Sequence, residues 1–308
     1  MKQNTQDTSF PALPGQIPIS VNLHFWKPCN YRCKFCFAVF DDDPHLQRVK
    51  NGLSLAEGVR LIELLRRAGA QKLNFVGGEP TLCQYIGLLL AHAKASGLVT
   101  SIVTNGERLD NLLAEHASFI DWVGLSVDSA LEEVEFRLGR GKGGHVARSR
   151  RQFETLHQLG IRVKLNTTVT RLTWEEDMSE FVFAVRPERW KVFQVLPVSG
   201  QNDAGIRELT ITPEQFAQFV DRHQGLRHRG VVIVPESNED MTGSYCMVDP
   251  LGRFFDNIAG THRYSRPILE VGVEAAFADI RFHPERFVAR GGRYDWGRPV
   301  PLTVFVSR

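Results

Sequence analysis

Short apolar runs alternate with stretches of helical periodicity along most of the chain. Residues 21–25 form the first run, and 72–76, 100–104, 120–127, 163–169 and 190–196 repeat it, each with the length and apolar content of a buried strand. Between them, 84–96, 107–117, 145–159 and 175–185 carry apolar residues at helical spacing. A further helix opens at Ser54, where Glu57 completes a capping box and Leu61, Leu64 and Leu65 share a face. Six strands joined by helices predict an α/β fold whose parallel sheet curls into a partial (β/α)6 barrel over residues 21–199. The rhythm breaks near residue 200. A helix over 213–223 and a strand over 231–234 precede Gly-rich and aromatic segments, and 200–308 reads as a C-terminal extension that closes the barrel and covers the active site. Residues 1–20, with Pro11, Pro14 and Pro18, read as a wrapping arm.

In such a barrel, chemistry belongs at the C-terminal ends of the strands. Parallel strands are normally apolar on both faces, yet several here carry polar residues at period two. Asn22 and His24 share a face, as do Lys72 and Asn74, Lys164 and Asn166, and Arg189 and Lys191. A single lysine inside a strand more often snorkels to an edge. Four cations on three strands whose mouths converge favour a polyphosphate pocket, so a small polyanion is the expected substrate.

Composition narrows the class further. Apolar residues make up 43% and charged residues 23%, and no run approaches the roughly 18 apolar residues of a membrane span. The formal charge of +2 is too small for a general polyanion binder, so no direct nucleic-acid partner is expected. No secretory segment opens the chain, and the five cysteines are odd in number, which favours reduced thiols in a cytoplasmic, monomeric protein.

Three of those cysteines, Cys29, Cys33 and Cys36, lie within eight residues. A structural zinc site completed by His24 or His45 is one reading, but zinc sites usually pair two short ligand knuckles and the chain has no second one. Three thiolates suit a [4Fe-4S] cluster better, because they leave one iron open for the amino and carboxylate groups of S-adenosylmethionine (SAM). The Cys-x3-Cys-x2-Cys spacing, with Phe35 and Phe37 beside Cys36, resembles the signature of radical SAM enzymes. Gly77-Gly78-Glu79-Pro80 is similar to the element with which those enzymes hold the methionine amino group, with bare backbone at the glycines and Glu79 as an acceptor. Taken alone, the glycines would suggest only a tight turn, Ser126 only a turn cap, and 139–144 only a flexible loop.

The likeness sharpens over residues 20–297. Segments 29–37, 74–80, 189–194, 234–238 and 290–294 resemble, in the same order, segments of the viperin family in its prokaryotic form. That resemblance implies dehydration of CTP, UTP or GTP, with CTP favoured, to the 3′-deoxy-3′,4′-didehydro analogue, an RNA chain terminator in antiviral (antiphage) defence. It implies that Ser126 and Arg140 contact SAM and that Asn22, Lys72, Lys164, Asn166, Arg189 and Lys191 line the nucleotide pocket. Tyr245 would lie near the sugar as a catalytic residue, and Arg263 would supply a basic contact from the closing segment. An electron donor of flavodoxin or ferredoxin type is the implied partner. Departures are Val76, where the vertebrate family has serine, Ala38 in place of histidine, the missing amphipathic N-terminus, and a 303–308 tail that is not acidic. Cys83 and Cys246 are too few for an auxiliary cluster, which disfavours a radical SAM enzyme of that other kind. A metal-stabilised protein that binds nucleotides without turnover is the alternative from a different class.

Overall fold

The computed structural model describes residues 17–297. Most of the expected arm and the 303–308 tail lie outside the described residues. The first seven strands run parallel to one another: β1 (Ser20–Trp26), β2 (Lys72–Gly77), β3 (Val99–Thr104), β4 (Trp122–Ser126), β5 (Arg162–Val169), β6 (Arg189–Gln194) and β7 (Val232–Glu236). Three short strands follow, β8 (Cys246–Val248), β9 (Arg253–Asp256) and β10 (Arg263–Pro267), and the sheet order is β10-β9-β8-β1-β2-β3-β4-β5-β6-β7.

The six expected strands and their helices are present, with ends shifted by at most four residues. The extension does not close the barrel by hydrogen bonding: β7 lengthens one edge of the sheet, β8 to β10 lengthen the other, and the sheet stays open. These last strands span only three to five residues and include Arg253, Asp256 and Arg263, too short and too polar for a period to show in the sequence.

The outward faces of β1 and β2, with Val21, Leu23, Phe25, Leu73 and Phe75, pack against Leu61 and Leu65 of helix Leu55–Arg67 and Leu89 and Leu90 of helix Ile86–Ala95. Helix Leu55–Arg67 starts where the sequence places it. The Ser54 amide donates to Glu57 Oε2 at 2.8 Å, and the Glu57 amide donates back to Ser54 Oγ at 3.3 Å. Ser54→Ala leaves the Glu57 amide without its acceptor and is expected to cost about 1 kcal/mol in urea unfolding. An unchanged midpoint would show that this cap contributes nothing.

Candidate active site

One cavity of about 330 Å³ runs through the inside of the barrel. Its wall follows the period-two inner faces: Ser20, Asn22 and His24 on β1, Lys72, Asn74 and Val76 on β2, Lys164, Asn166 and Thr168 on β5, and Arg189, Lys191 and Phe193 on β6. Position along each strand therefore sets depth. Lys72 and Arg189 open their strands and Lys164 is third in its own, whereas the cysteine loop, Gly78, Glu79 and Ser126 stand at or just past strand C-termini. The expected convergence of all functional groups at the C-terminal mouth is thus corrected. The cations form the opposite end of the cavity, about 13 Å below the mouth at roughly 3.3 Å per residue.

At the mouth, the cysteine loop is pinned by backbone. The Arg32 amide donates to the Gly139 carbonyl at 3.2 Å and the Lys34 amide to the Leu138 carbonyl at 3.0 Å. Gly139 has φ +82°, and a Cβ there would lie 2.1 Å from the Arg32 carbonyl oxygen, so only glycine allows the approach. Tyr31 Oη donates to Glu107 at 2.8 Å and accepts from Arg148, clamping the same loop from its other side. The glycines of 77–79 have a related duty. A Cβ on Gly77 would meet the Trp26 carbonyl at 2.3 Å and one on Gly78 the Lys27 and Pro28 carbonyls at 2.2 and 2.3 Å, so the glycines admit the chain leaving β1 on one side while both also line the cavity.

Glu79 is fully buried and accepts from the Thr81 amide and hydroxyl, the Thr104 hydroxyl and the Asn105 amide at 2.6 to 3.0 Å. It ties the ends of β2 and β3 together under the mouth. Arg140, buried beside the Phe35 ring at 5.7 Å, pairs with Asp128 and lies 3.6 Å from Glu135. Ser126 lines the cavity, and its carbonyl oxygen is hydrogen-bonded by His145 Nε2 at 2.9 Å. Phe37 is partly exposed and meets the His24 and His262 rings edge-on.

The three thiols fit an iron-sulfur cluster. They are free and face one cavity mouth; burial pushes the Cys29 and Cys36 thiols up and Cys33 to about 12, so a bound cation is what would hold them as thiolates. Neither histidine completes a zinc site. His24 packs among Phe37, Phe40 and Phe255, with burial and the neighbouring His262 lowering its pKa to about 3, and His45 is exposed in helix Pro44–Arg48.

At the far end, Lys72, Lys164 and Arg189 surround the ring of Tyr294. Lys72 Nζ donates to Tyr294 Oη at 2.6 Å and lies 5.3 Å from the Trp122 ring, the Arg189 guanidinium stacks 3.9 Å from the Tyr294 ring, and Lys164 Nζ sits 5.0 Å from Trp122. Among the described residues none of the three forms an ion pair with a carboxylate. Burial, then Lys164, Lys191 and Arg189, hold the Lys72 pKa well below the usual lysine value. Between the two ends stand amides. Asn74 Nδ2 donates to Asn22 Oδ1 at 3.1 Å, while the side-chain oxygens of Asn74 and Asn166 are buried without partners.

Residues 25–182 match the radical SAM superfamily. A protein of Lacinutrix mariniflava named S-adenosylmethionine-dependent nucleotide dehydratase is 43% identical over 92% of this chain and 59% of its own length; another of that name from Flammeovirga pacifica is 44% identical over 90% and 96%. The chain thus spans less than two thirds of the first relative and nearly all of the second. This chain belongs to the S-adenosylmethionine-dependent nucleotide dehydratase family of radical SAM enzymes. The resemblance read from its motifs is borne out. In fold it is similar to Streptococcus suis SuiB bound to S-adenosylmethionine, with a TM-score of 0.65 at 16% identity over 90% of this chain and 68% of that one. Members of the superfamily use a [4Fe-4S] cluster and SAM, and Cys29, Cys33 and Cys36 are the residues here that would hold the cluster.

Within this dehydratase-family chain, two sequence expectations change. Arg263 is exposed on the edge strand β10, opposite Asp256, and does not line the cavity; Arg290, stacked 3.6 Å from the Tyr245 ring, is the cation that the C-terminal segment supplies. Lys191 lines the cavity but has a counter-charge within the chain. Its Nζ donates to Tyr245 Oη at 2.6 Å and pairs with the buried Glu236 at 2.7 Å, and Tyr245 in turn donates to Glu236. Glu236, Arg290, Tyr294 and Trp122 are contact residues that the sequence reading does not single out. Glu236 and the 290–294 segment lie within stretches that carried the family resemblance, the one signal that could have found them.

Gly139→Ala tests the pinning of the loop. It forces an L-residue into left-handed backbone against the Arg32 carbonyl, so reconstituted iron is expected to fall to less than about half while far-UV circular dichroism is unchanged. Full iron loading would show that the loop does not depend on this contact.

Proposed function

We propose that this enzyme converts CTP to its 3′-deoxy-3′,4′-didehydro analogue, an RNA chain terminator made in antiviral (antiphage) defence. The carrying observation is the layering of one cavity. Buried Lys72 and Lys164 and half-buried Arg189, none ion-paired with a carboxylate among the described residues, suit a triphosphate, the amides above them suit a base and ribose, and the thiols stand beyond. Burying two lysines beside a half-buried arginine without carboxylates is costly, and a bound polyanion offsets the cost. UTP and GTP are the competing substrates. Asn166 is the proposed base reader, since its amide offers both a donor and an acceptor, and Gly124 leaves it space, a Cβ there falling 3.2 Å from Asn166 Nδ2.

When bound, the cluster and SAM supply one-electron chemistry that abstracts a hydrogen atom. The chain's task is to present C4′ of the ribose toward the mouth while the cations anchor the phosphates. Removal of the C4′ hydrogen atom and loss of the 3′-hydroxyl as water leave the sugar one electron short of the alkene, so a second electron must follow the one that starts turnover. The departing hydroxyl also needs a proton. Tyr245 is the proposed donor: burial raises its phenol well above the ordinary value, keeping it protonated, and Lys191 stands on its oxygen ready to replace the proton.

Anaerobic incubation with SAM, dithionite and an equimolar mixture of CTP, UTP, GTP and ATP is expected to yield 5′-deoxyadenosine and one major product, CTP less water by mass. A UTP- or GTP-derived product would overturn the base assignment, and 5′-deoxyadenosine without any nucleotide product would overturn the substrate class. Phage plating on cells expressing the chain, compared with Cys33→Ala, tests the defence role through loss of protection in the variant.

Lys164→Met and Arg189→Met are expected to weaken CTP, UTP and GTP alike by about 1 to 3 kcal/mol. Asn166→Ala should reorder the three nucleotides. Competition kinetics check both, and an equal loss across bases from Asn166→Ala would contradict the division of the pocket.

Burial, opposed by Glu236, leaves the Lys191 pKa at about 8. If its proton feeds Tyr245, turnover should decline as pH rises through about 8, and Lys191→Arg should remove that limb. A limb unchanged in Lys191→Arg would assign it to another group.

A further inference from the structure

The dehydration reading requires two electrons per turnover, and the cysteine loop has an outer face open to solvent. Arg32 and Lys34 are exposed on the loop itself, and Arg32 folds over it, donating to the Cys29 carbonyl at 2.6 Å. The backbone pairing of Arg32 with Gly139 and of Lys34 with Leu138 places exposed Arg137 beside them. Gly141, whose Cβ would lie 3.1 Å from Tyr31 Oη, brings in exposed Lys142. Among the described residues none of these four cations has a carboxylate within ion-pair distance, and Glu107, which accepts from Tyr31 of the same loop, is already paired with Arg148 at 2.9 Å. Glu133, on the same short helix Glu132–Arg137, is exposed, and Asp203 is turned to the Gly200 amide. In a chain of formal charge +2 this is a local excess of positive charge.

Apolar surface interrupts that charge. Phe136 is 60% exposed and Leu131 57% exposed on helix Glu132–Arg137 and its N-terminal flank, directly before the Leu138–Gly139 segment that pins the cysteine loop. Large apolar side chains left in water within a charged rim mark an interaction surface. Basic charge around them selects an acidic partner and speeds its encounter.

We propose that this rim docks an acidic one-electron carrier protein of flavodoxin or ferredoxin type, with Phe136 and Leu131 in the contact and Arg32, Lys34, Arg137 and Lys142 around it. The proposal rests on the radical dehydration reading for its need of electrons. Each docking passes one electron inward and leaves the carrier oxidised by one electron. Apolar surface at the centre favours a folded protein over a single-stranded nucleic acid, for which interleaved stacking aromatics would be required.

The test uses Arg137→Glu/Lys142→Glu, outside the cavity and the cysteine motif, in reconstituted enzyme under anaerobic conditions. Binding of a flavodoxin is measured by calorimetry at low and physiological salt, and 5′-deoxyadenosine formation is driven in parallel by reduced flavodoxin or by dithionite. Charge reversal is expected to weaken flavodoxin binding at least tenfold at low salt, to cut the flavodoxin-driven rate comparably, and to leave the dithionite-driven rate within about twofold. Phe136→Ser should weaken binding with little change in its salt dependence. Unaltered flavodoxin binding in the charge-reversed enzyme would overturn the proposal, as would an equal loss of the dithionite-driven rate or preferential, salt-dependent binding of a single-stranded oligonucleotide. Failure of the wild type to form a nucleotide product would count against the dehydration reading instead, while the calorimetry would still decide the docking surface.

Discussion

Two buried lysines and a half-buried arginine, none ion-paired with a carboxylate among the described residues, govern this structure. Lys72, Lys164 and Arg189 stand inside a parallel barrel, held by a phenol, indole rings and one hydroxyl rather than by carboxylates. Aromatic faces moderate such charge but do not cancel it. A barrel interior filled with aliphatic side chains would be more stable, and on the proposed reading these positions give up stability for a polyanion. The consequence reaches the C-terminal segment, because Tyr294, together with the Trp296 carbonyl accepting from Trp122 Nε1, covers the charged end of the cavity from outside the barrel.

The opposite end is built by a different constraint, the close approach of bare backbone. Gly77, Gly78 and Gly139 let the chain leaving β1 lie against the ends of β2 and the 138–139 segment at distances no side chain tolerates. The cysteine loop is thereby fixed on two sides before any cofactor binds. On the proposed reading, electrons, cofactor and nucleotide have separate approaches: the basic outer face of the loop, the mouth, and the cavity beneath. Separation of this kind keeps water away from radical chemistry while leaving the cysteines close to the surface.

Much of this was legible in the residues. The Ser54 and Glu57 pair, six of the parallel strands and the thiol spacing follow from local chemistry, and the period-two placement of Lys72, Asn74, Lys164, Asn166 and Arg189 correctly turned them inward. Depth was legible too, since Lys72 opens its strand and Ser126 ends its own, but face was read and height was not. Other features could not be read locally. Lys191 meets Glu236 from a neighbouring strand 45 residues away, and Tyr294 reaches Lys72 across 222 residues. Nothing in the composition near Lys191 says that its charge is already matched. Arg263 misled because a basic residue on a late segment specifies neither its face nor its strand, and β10 is an exposed edge.

That the nucleotide's phosphates lie at the N-terminal ends of β2, β5 and β6, with its ribose toward the cysteine loop, is the central claim. An anaerobic crystal structure of the reconstituted enzyme with SAM and CTP tests it most directly. The expected density places phosphate oxygens within hydrogen-bond reach of Lys72, Lys164 and Arg189 and the ribose C4′ facing the SAM-bearing mouth. Phosphates found instead at the strand C-termini, beside Ser126 and Gly78, would contradict it.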